Sequence, residues 1–301
     1  MTLLDWTAGP PGHRAVGRRS THAPRARENV PLALAVLPQR IRRHLLALDA
    51  YARFVGELGD HPATADGPGM AGAPTDRTAT LRRLEAELYG LYDGRAPTHP
   101  ALAGLAPTVA ACGLPIEPLL RLIAANRVDR VVVRHASFAG LVECCHLCAD
   151  PVGELVLHVF GVATPERIAL SDRICTALRL VEHLRDVGED RRRGRVHLPT
   201  EDLARFGVTE RDLDAPRARA PLRNVIRLEA SRAATWLDAG APLVATLRGW
   251  ARLTVAAQVA GGRAALAALA RSGYDPLPGP PRPTRSGITR HWLTSLVGSA
   301  G

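Results

Sequence analysis

Three acidic side chains recur at every fourth position in the segment SDRICTALRLVEHLRDVGEDRRRGRVHLP, residues 171–199: Glu182, Asp186 and Asp190. On a helix of about 3.6 residues per turn, this spacing puts them on one face, about 6 Å apart along the axis. Carboxylates stacked in this way repel one another unless a cation lies between them. Hard oxygen ligands suit Mg²⁺, which completes its shell with water and substrate phosphates. The shared face of these three acids is therefore suited to a Mg²⁺ site.

A run of arginines follows these acids, at Arg191, Arg192, Arg193 and Arg195. Guanidinium groups make forked hydrogen bonds to phosphate oxygens, so the run is suited to holding a diphosphate. An exposed, charged helix end terminated by Gly194 has the same composition, because paired acids on helices are common. Spacing alone does not separate these two interpretations.

The elements that must position these residues are predicted to be helical throughout. Between residues 28 and 60, apolar side chains recur with a helical period at Ile41, Leu45, Leu48, Ala52 and Val55. The Gly- and Pro-rich residues 59–75 are predicted to form a loop. Further helices are expected over 76–92, 101–111, 115–126, 137–147, 151–160, 165–187, 221–239 and 242–272. No segment shows a convincing strand alternation, and no repeat is apparent.

Both ends of the chain differ in composition from the helical body. Residues 1–28 are rich in Gly, Pro and Arg without an apolar period, which predicts a disordered leader. Five prolines interrupt PLPGPPRPTRSG, residues 276–287, so this stretch is not expected to be helical. We predict a leader at 1–28, a helical domain at 29–275 and a Pro-rich tail at 276–301, with 276–287 outside the packed body.

The composition favours a helical fold and argues against a nucleic-acid binder. The 301 residues suffice for a large core, and aromatic residues make up only 4%. The net charge of +10 comes from arginine, since the sequence contains no lysine. The arginines are spread along the chain and the aromatics that stack on bases are scarce, so nucleic acid is not an expected partner. A diffuse positive field would still attract anionic substrates.

The cysteines do not suggest a disulfide framework. They stand at 112, 144, 145, 148 and 175, an odd number without extracellular spacing. Cys144, Cys145, His146 and Cys148 resemble part of a zinc site, but no second cysteine pair completes it, so reduced thiols are expected.

The sequence predicts a cytoplasmic protein, with peripheral contact at the inner face of the membrane left open. The N-terminus has no apolar run typical of a signal peptide, and arginines and glycines interrupt the apolar stretch near 242–270. The run ITRHWLTSLVG, residues 288–298, could lay Trp292, Leu293, Leu296 and Val297 on a bilayer, or it could dock on its own protein.

The motifs together resemble the squalene/phytoene synthase family, closest to its hopanoid-pathway branch HpnC. LRLVEHLRDVGEDRRRGRVHLPTEDLARFGV is similar to the second signature of that family. ENVPLALAVLPQRIRRHLLALDAYARFVGELGD resembles the first signature, and ADPVGELVLHVFG resembles the helix-entry motif between them. The resemblance runs from about residue 29 to about 278, and the order and spacing of the motifs make it specific.

This resemblance implies an all-α isoprenoid-synthase (terpenoid synthase) bundle around a central apolar cavity. Two acidic motifs would face each other at its mouth and bind Mg²⁺ ions that hold a prenyl diphosphate. The implied ligands are Asp186 and Asp190 on one side and Glu57 and Asp60 on the other. The implied substrate-binding residues are Arg53, Arg134, Arg191, Arg195, Cys144 and Glu182. The implied substrate is presqualene diphosphate or farnesyl diphosphate, on the route to hopanoids or other triterpenoids.

The first acidic motif departs from the family pattern. Gly56 stands where the family has an aspartate, while Glu57 and Asp60 remain. Glycine offers no ligand and weakens a helix by roughly 1 kcal/mol relative to alanine. Asp49 and Glu57 lie four residues either side of Arg53, so an internal ion pair is an alternative use of this face.

Several polar positions that line the family's site have changed as well. Cys144 and Cys148 replace a tyrosine and a serine, and Arg179 replaces a glutamine. His135 and His197 each replace a tyrosine. Together with Gly56, these changes leave two hypotheses open. The chain is an active enzyme of altered strength or substrate, or a pseudoenzyme that binds prenyl diphosphate or a partner synthase. The sequence does not determine the oligomeric state.

Overall fold

The computed structural model describes residues 37–60, 74–129 and 134–297. Within these ranges every element is helical, apart from an isolated parallel bridge between Arg134 and Val196. The α-helices are α1 (Gln39–Asp60), α2 (Pro74–Tyr92), α3 (Pro100–Cys112), α4 (Ile116–Asp129), α5 (Phe138–Cys148), α6 (Asp150–Val159), α7 (Pro165–Arg185), α8 (Val187–Arg192), α9 (Thr200–Arg205), α10 (Ala220–Gly240), α11 (Leu243–Thr246), α12 (Gly249–Arg271) and α13 (Arg285–Val297). A short 3₁₀ helix covers Glu210–Asp214. The predicted all-helical fold is confirmed, and the leader at 1–28 lies outside the described residues.

Helix α7 is the central element of the bundle. It begins at Pro165, whose fixed φ suits the first helical position, and the Thr164 hydroxyl accepts a hydrogen bond from the Arg167 amide. Eleven of its 21 residues are buried, and they lie around most of its circumference. A helix that is buried on most sides must be surrounded by other helices, and α5, α6, α10 and α12 all pack against it. The acidic segment therefore starts from a helix that is enclosed by its neighbours.

Glycines let the surrounding helices approach α7 closely. A Cβ at Gly240 of α10 would lie 2.8 Å from the Leu170 carbonyl oxygen and 2.6 Å from Ile174 Cγ1. A Cβ at Gly262 of α12 would lie 2.9 Å from Leu178 Cδ2. Close-packed interiors do not absorb such overlaps without displacement. These two glycines therefore set the spacing of α10 and α12 from the central helix.

Helix α1 buries the apolar face that its sequence predicts. Leu45, Leu48 and Val55 are fully buried in a core shared with α2, α3, α4 and α6, and Ile41 and Ala52 pack at its edge. Tyr51 is also buried, and its hydroxyl donates a hydrogen bond to the Leu119 carbonyl oxygen at 3.1 Å. Burial raises the pKa of this phenol. Because this apolar face of α1 is buried, the first acidic motif is left with the remaining faces of the helix.

Two of the differences from the predicted helix boundaries change the path of the chain. The segment 242–272 is not one helix, because the chain is extended at Leu247 and Arg248 between α11 and α12. Gly249 has a φ of 55°, a left-handed conformation that favours glycine, and so allows the sharp turn into α12. Helix α7 ends at Arg185 and not at 187, which leaves Asp186 at a junction.

Helix α12 is long and apolar enough to cross a membrane by length and composition. A core helix of a globular protein meets the same criteria. Val255, Ala256 and Val259 on α12 are at most 2% exposed and pack in a core with α7 and α11. The apolar character of α12 is therefore accounted for by burial within the bundle.

The expectation that residues 276–287 lie outside the packed body is wrong. Leu277 is buried in the same core as Val187 of α8, and the Pro281 carbonyl oxygen accepts a hydrogen bond from Arg185 Nε at 3.0 Å. A Cβ at Gly188 would lie 2.9 Å from the Leu277 carbonyl oxygen. The segment is non-helical up to residue 284, as its prolines predict, but prolines exclude a helix without preventing close packing.

Candidate active site at the end of the central helix

The second acidic motif spans the junction of α7 and α8. Asp186 lies between the helices with φ −97° and ψ 9°. Backbone hydrogen bonds still connect its amide to the Glu182 carbonyl at 3.0 Å, and the Asp190 amide to the Asp186 carbonyl at 2.8 Å. These are the i to i−4 bonds of an α-helix, so the four-residue relationship of the three acids persists through the junction. The predicted spacing is confirmed, although the acids do not belong to a single continuous helix.

The three acids differ in their surroundings. Asp190 is buried at 4% exposure, whereas Glu182 and Asp186 are half-buried. One Oε of Glu182 accepts a long hydrogen bond of 3.4 Å from Arg179, the residue that replaces the family glutamine. Glu182 and Asp186 are thus the members of the motif that solvent and a ligand reach most readily.

A group of buried histidines lies next to Asp190. His197 Nε2 lies 3.8 Å from Asp190 Oδ2, and the rings of His183 and His197 stack at a centroid distance of 3.9 Å. His135 packs next to them, with its Nε2 3.4 Å from His197 Nδ1. The replaced tyrosines at 135 and 197 are visible in the sequence, but nothing there indicates that they meet His183. That cluster is created by the fold.

Two of the predicted diphosphate-binding residues, Arg134 and Arg191, both donate hydrogen bonds to the carboxylate of Glu210. Arg134 Nε and Arg191 Nη1 both donate to Glu210, at 2.5 and 2.6 Å. Arg191 also forms a forked pair with Asp214, at 2.7 and 2.8 Å. The hydrogen bonds that Arg191 donates to Asp214 and Glu210 raise the pKa of Arg191, and the hydrogen bond that Glu210 accepts from Arg134 lowers the pKa of Glu210. A diphosphate would have to compete with these carboxylates for both arginines.

The loop after α8 holds Arg195 close to the acidic motif. The Arg195 amide donates to the Asp190 carbonyl at 2.9 Å, and the Gly194 carbonyl accepts from Arg134 Nη1 at 2.7 Å. Of the four predicted members of the arginine run, Arg192 and Arg193 are exposed, while Arg191 and Arg195 are half-buried. The two half-buried arginines are the ones to which the family resemblance assigns a substrate role.

The first acidic motif is described only in part. Gly56 lies near the end of α1, and within the described chain no heavy atom lies within 4 Å of a Cβ built on it. The side chains of Glu57 and Asp60 lie outside the described residues, so their role as ligands stays a prediction. Arg53 Nε lies 3.5 Å from Asp49 Oδ2 one turn earlier. Of the two acids expected to pair with Arg53 on this face, Asp49 and Glu57, Asp49 therefore does so.

The middle motif forms a polar cluster between α5, α6 and α7. Asp150 is buried, and it contacts His146 Nδ1 at 2.5 Å and accepts a hydrogen bond from the Thr176 hydroxyl at 3.0 Å. Burial raises the pKa of Asp150. All five cysteines are free, and burial raises the pKa of Cys145 and that of Cys175, the latter to about 12. Burial thus favours the protonated thiol at Cys145 and Cys175.

The sequence and fold were compared with those of known proteins. A profile of the squalene/phytoene synthase family matches residues 23–289. The chain belongs to this family. Hydroxysqualene synthase of Rhodopseudomonas palustris is 32% identical over 222 residues, which are 73% of this chain and 72% of that protein. Phytoene synthase 1 of Arabidopsis thaliana is 32% identical over 212 residues, 68% of this chain but only 47% of the relative.

Solved structures of the squalene/phytoene synthase family confirm the terpenoid synthase fold. The squalene synthase HpnC from Alicyclobacillus acidocaldarius matches with a TM-score of 0.72 and 38% identity, over 81% of this chain and 89% of that one. A dehydrosqualene synthase solved with a ligand matches with a TM-score of 0.78 at 21% identity, over 91% and 92% of the two chains. The predicted resemblance to the HpnC branch is therefore confirmed at the level of family and fold, and the proteins it resembles are enzymes.

Proposed function

We propose that this chain is a squalene synthase-type enzyme that ionises presqualene or farnesyl diphosphate with the assistance of Mg²⁺, in hopanoid or triterpenoid biosynthesis. The observation that carries the proposal is the 38% identity to squalene synthase HpnC over 81% of the chain, supported by the acids Glu182, Asp186 and Asp190 at the end of α7. The relatives are named as synthases, so the non-catalytic alternative gains no support from them.

The two more exposed acids of the second motif, Glu182 and Asp186, are suited to binding Mg²⁺. Glu182 and Asp186 supply half-buried carboxylates one helical turn apart. Oxygen ligands with room for water and phosphate match what Mg²⁺ requires. Asp190 is a weaker candidate, because histidine nitrogens surround its buried carboxylate. Bound Mg²⁺ would draw negative charge from the leaving diphosphate and so lower the barrier to ionisation.

The chain's own groups would hold the diphosphate and stabilise its charge. Arg195 is adjacent to Asp190 and suited to a forked hydrogen bond with phosphate oxygens. Arg134 and Arg191 would join it by exchanging Glu210 for phosphate, since each already presents its guanidinium to an oxyanion there. Preorganised cations aimed at developing charge act most strongly where water is excluded.

The test is pyrophosphate binding measured by calorimetry at fixed Mg²⁺. Asp186→Asn should weaken Mg²⁺-dependent binding by at least ~10–100-fold, because losing a direct ligand costs no less than losing a residue that only supports one. Asp238→Asn is the matched control, since it removes the same charge from an exposed residue of α10 that pairs with Arg263 of α12. Equal affinity in wild type and Asp186→Asn would contradict the proposed metal site.

Product analysis then tests the substrate. Purified protein is incubated with Mg²⁺ and either presqualene diphosphate or farnesyl diphosphate, and the organic extract is examined for hydroxysqualene and squalene. Turnover of either substrate supports the proposal and identifies the entry point. Pyrophosphate binding without any turnover would sink the catalytic part of the proposal and favour a binding protein.

A further inference from the structure

A cleft of about 430 Å³ lies where the start of α1 meets the ends of α3 and α6. Much of its wall is apolar: Ile41 comes from α1, Ala111 from α3, and Val159 and Phe160 from the end of α6 and the turn after it. Sites for small molecules usually enclose about 300–1,000 Å³ and are lined mainly by apolar side chains. The cleft therefore has the size and lining of a site for a small ligand.

The ionisable side chains along this cleft are basic or neutral. Arg40, His44, His158 and Cys112 line it, and none of the described residues in its wall is an acid. Arg40 is exposed, and it forms no ion pair with a carboxylate of the described chain. A cleft whose charged groups all have one sign concentrates ligands of the opposite sign. An anion that carries an apolar group matches both the charge and the wall.

The two arginines near the start of α1 act on the histidine inside the cleft. His44 is 4% exposed, and its Nδ1 lies 3.0 Å from Thr108 Oγ1, which leaves Nε2 as the nitrogen not engaged with Thr108. Burial lowers the pKa of His44, and the charges of Arg43 and Arg40 lower it further. The inside of the cleft is therefore at a positive potential, which a bound anion would offset.

We propose that this cleft binds an amphiphilic phosphate ester, a phosphate head group that carries a short apolar chain. Arg40, His44 and His158 hold the phosphate, because three donor groups match its three terminal oxygens better than the two of a carboxylate. The flat guanidinium of Arg40 suits forked hydrogen bonds to two of these oxygens. The chain lies against Ile41 and Phe160, where it removes apolar surface from water.

The cleft is separate from the candidate active site. Thirteen positions separate Arg40 from Arg53 along α1, which corresponds to about 20 Å at 1.5 Å per residue. None of the acids or arginines at the junction of α7 and α8 lines the cleft. The inference therefore goes beyond the proposed function, and it assigns a second, non-catalytic ligand site to the other end of α1.

Calorimetry with octyl phosphate and with geranyl phosphate is the first test. A chelator is present, so that Mg²⁺ does not support binding at the acidic motif. We expect one saturable site per chain, with affinity more than ~10-fold above that for ethyl phosphate, because each buried methylene contributes about fourfold. Tighter binding of geranyl phosphate identifies a prenyl phosphate as the occupant, and tighter binding of octyl phosphate identifies a straight-chain lipid. No saturable binding of either ester, or equal affinity for ethyl phosphate, overturns the proposal.

Variants locate the binding within the protein. Arg40→Gln should weaken binding of the preferred ester by about 10–100-fold, the usual loss for one charge-assisted hydrogen bond. Arg82→Gln, which removes the same charge from an exposed position of α2, should leave the affinity unchanged. Asp186→Asn should leave it unchanged as well, so failure of the proposed Mg²⁺ site does not affect this test. Equal affinity in wild type and Arg40→Gln, with circular dichroism showing both folded, contradicts the site.

Nuclear magnetic resonance of the histidine side chains tests the site in the wild-type protein. Saturation with the preferred ester should raise the pKa of His44, because the phosphate opposes the charges of Arg40 and Arg43. His291 is the internal control, since burial and two other arginines, Arg290 and Arg263, lower its pKa outside the cleft. An unchanged pKa at His44, or an equal rise at His291, would count against binding in the cleft.

Discussion

At the residue scale, Gly56 is the departure with the largest consequence for activity. It stands near the end of α1, in the place of a family aspartate, and a Cβ there meets no heavy atom of the described chain within 4 Å. A side chain therefore fits without displacing the core. Arg53 lies about one turn before Gly56 and pairs with Asp49, one further turn along the helix toward its start.

Gly56→Asp should raise the rate of diphosphate release by about 10-fold or more, because it restores a carboxylate one turn before Asp60. The rate is measured with presqualene or farnesyl diphosphate and Mg²⁺, per folded molecule, since replacing a helical glycine also adds stability. Gly56→Asn is the control, because it has the same shape without the charge. Similar rates for the two variants would show that another group already fills the role.

Glu229 gives the molecule a pH dependence that is independent of catalysis. It is buried on α10 and shares Arg232 with Asp202, each carboxylate at 2.6 Å from Arg232 Nη1. Burial raises the pKa of Glu229 from 4.5 to about 8. The folded protein therefore retains a proton that the unfolded chain releases. The stability from this group is complete below about pH 4.5 and is lost as the pH rises to about 8.

Glu229→Gln should accordingly unfold at a higher temperature than wild type at pH 9, with the difference shrinking toward pH 5. The variant stays neutral throughout, and the expected gain at pH 9 is up to a few kcal/mol, reduced by any loss of pairing with Arg232. Thermal unfolding at several pH values measures it. Glu143→Gln, on an exposed position of α5, should show no such trend. A pH-independent difference for Glu229→Gln would argue against the raised pKa.

At the element scale, the approach of α10 and α12 to α7 depends on small residues. Gly240 lies against the backbone of α7, where the neighbouring atoms belong to Leu170 and Ile174. Gly261 on α12 is also helical, but a Cβ there meets no heavy atom of the described residues within 4 Å. The two positions therefore separate the packing role of glycine from its effect on helix propensity.

Gly240→Ala should lower the free energy of unfolding by about 1–3 kcal/mol, because the added methyl group overlaps backbone atoms that cannot move aside cheaply. Gly261→Ala should raise it by about 0.5–1 kcal/mol, since alanine favours the helix and has space. Urea unfolding of the two variants and wild type provides the comparison. Changes of the same sign in both variants would disprove the close approach at Gly240.

At the scale of the whole molecule, the C-terminal helix α13 closes the bundle. Trp292 and Leu296 pack into the core that α7, α11 and α12 share, and Trp292 Nε1 donates to the Leu253 carbonyl at 3.3 Å. Arg252 donates to the Leu296 carbonyl at 2.8 Å. Leu293 and Val297 stay exposed. Two of the four residues predicted for a bilayer surface thus face the protein, and a membrane contact through the other two stays a prediction.

Trp292→Ala should reduce the free energy of unfolding by about 2–3 kcal/mol, somewhat below the loss for a fully buried tryptophan. Leu293→Ala is the matched control on the same helix, 53% exposed, and should change stability by less than about 0.5 kcal/mol. Chemical denaturation monitored by circular dichroism measures both. An unaffected Trp292→Ala protein would show that α13 is not docked.

The sequence by itself determined the features that depend on local period. An α-helix repeats every 3.6 residues. The apolar stripe of α1 and the four-residue spacing of Glu182, Asp186 and Asp190 are therefore visible without coordinates. The order of the motifs was enough to identify the family and hence the all-α fold. Helix ends were less secure, because a turn such as the one at Gly249 depends on a backbone conformation that a continuous apolar pattern conceals.

Only the tertiary structure decided which distant side chains meet. His135, His183 and His197 converge because the bridge between Arg134 and Val196 brings a segment before α5 beside the one after α8. The Pro-rich segment packs on α8 because glycine at position 188 leaves room for its backbone. Neither contact has a period or a fixed spacing. Both arise from the burial of separate surfaces against one another, which is a property of the assembled fold and not of any one segment.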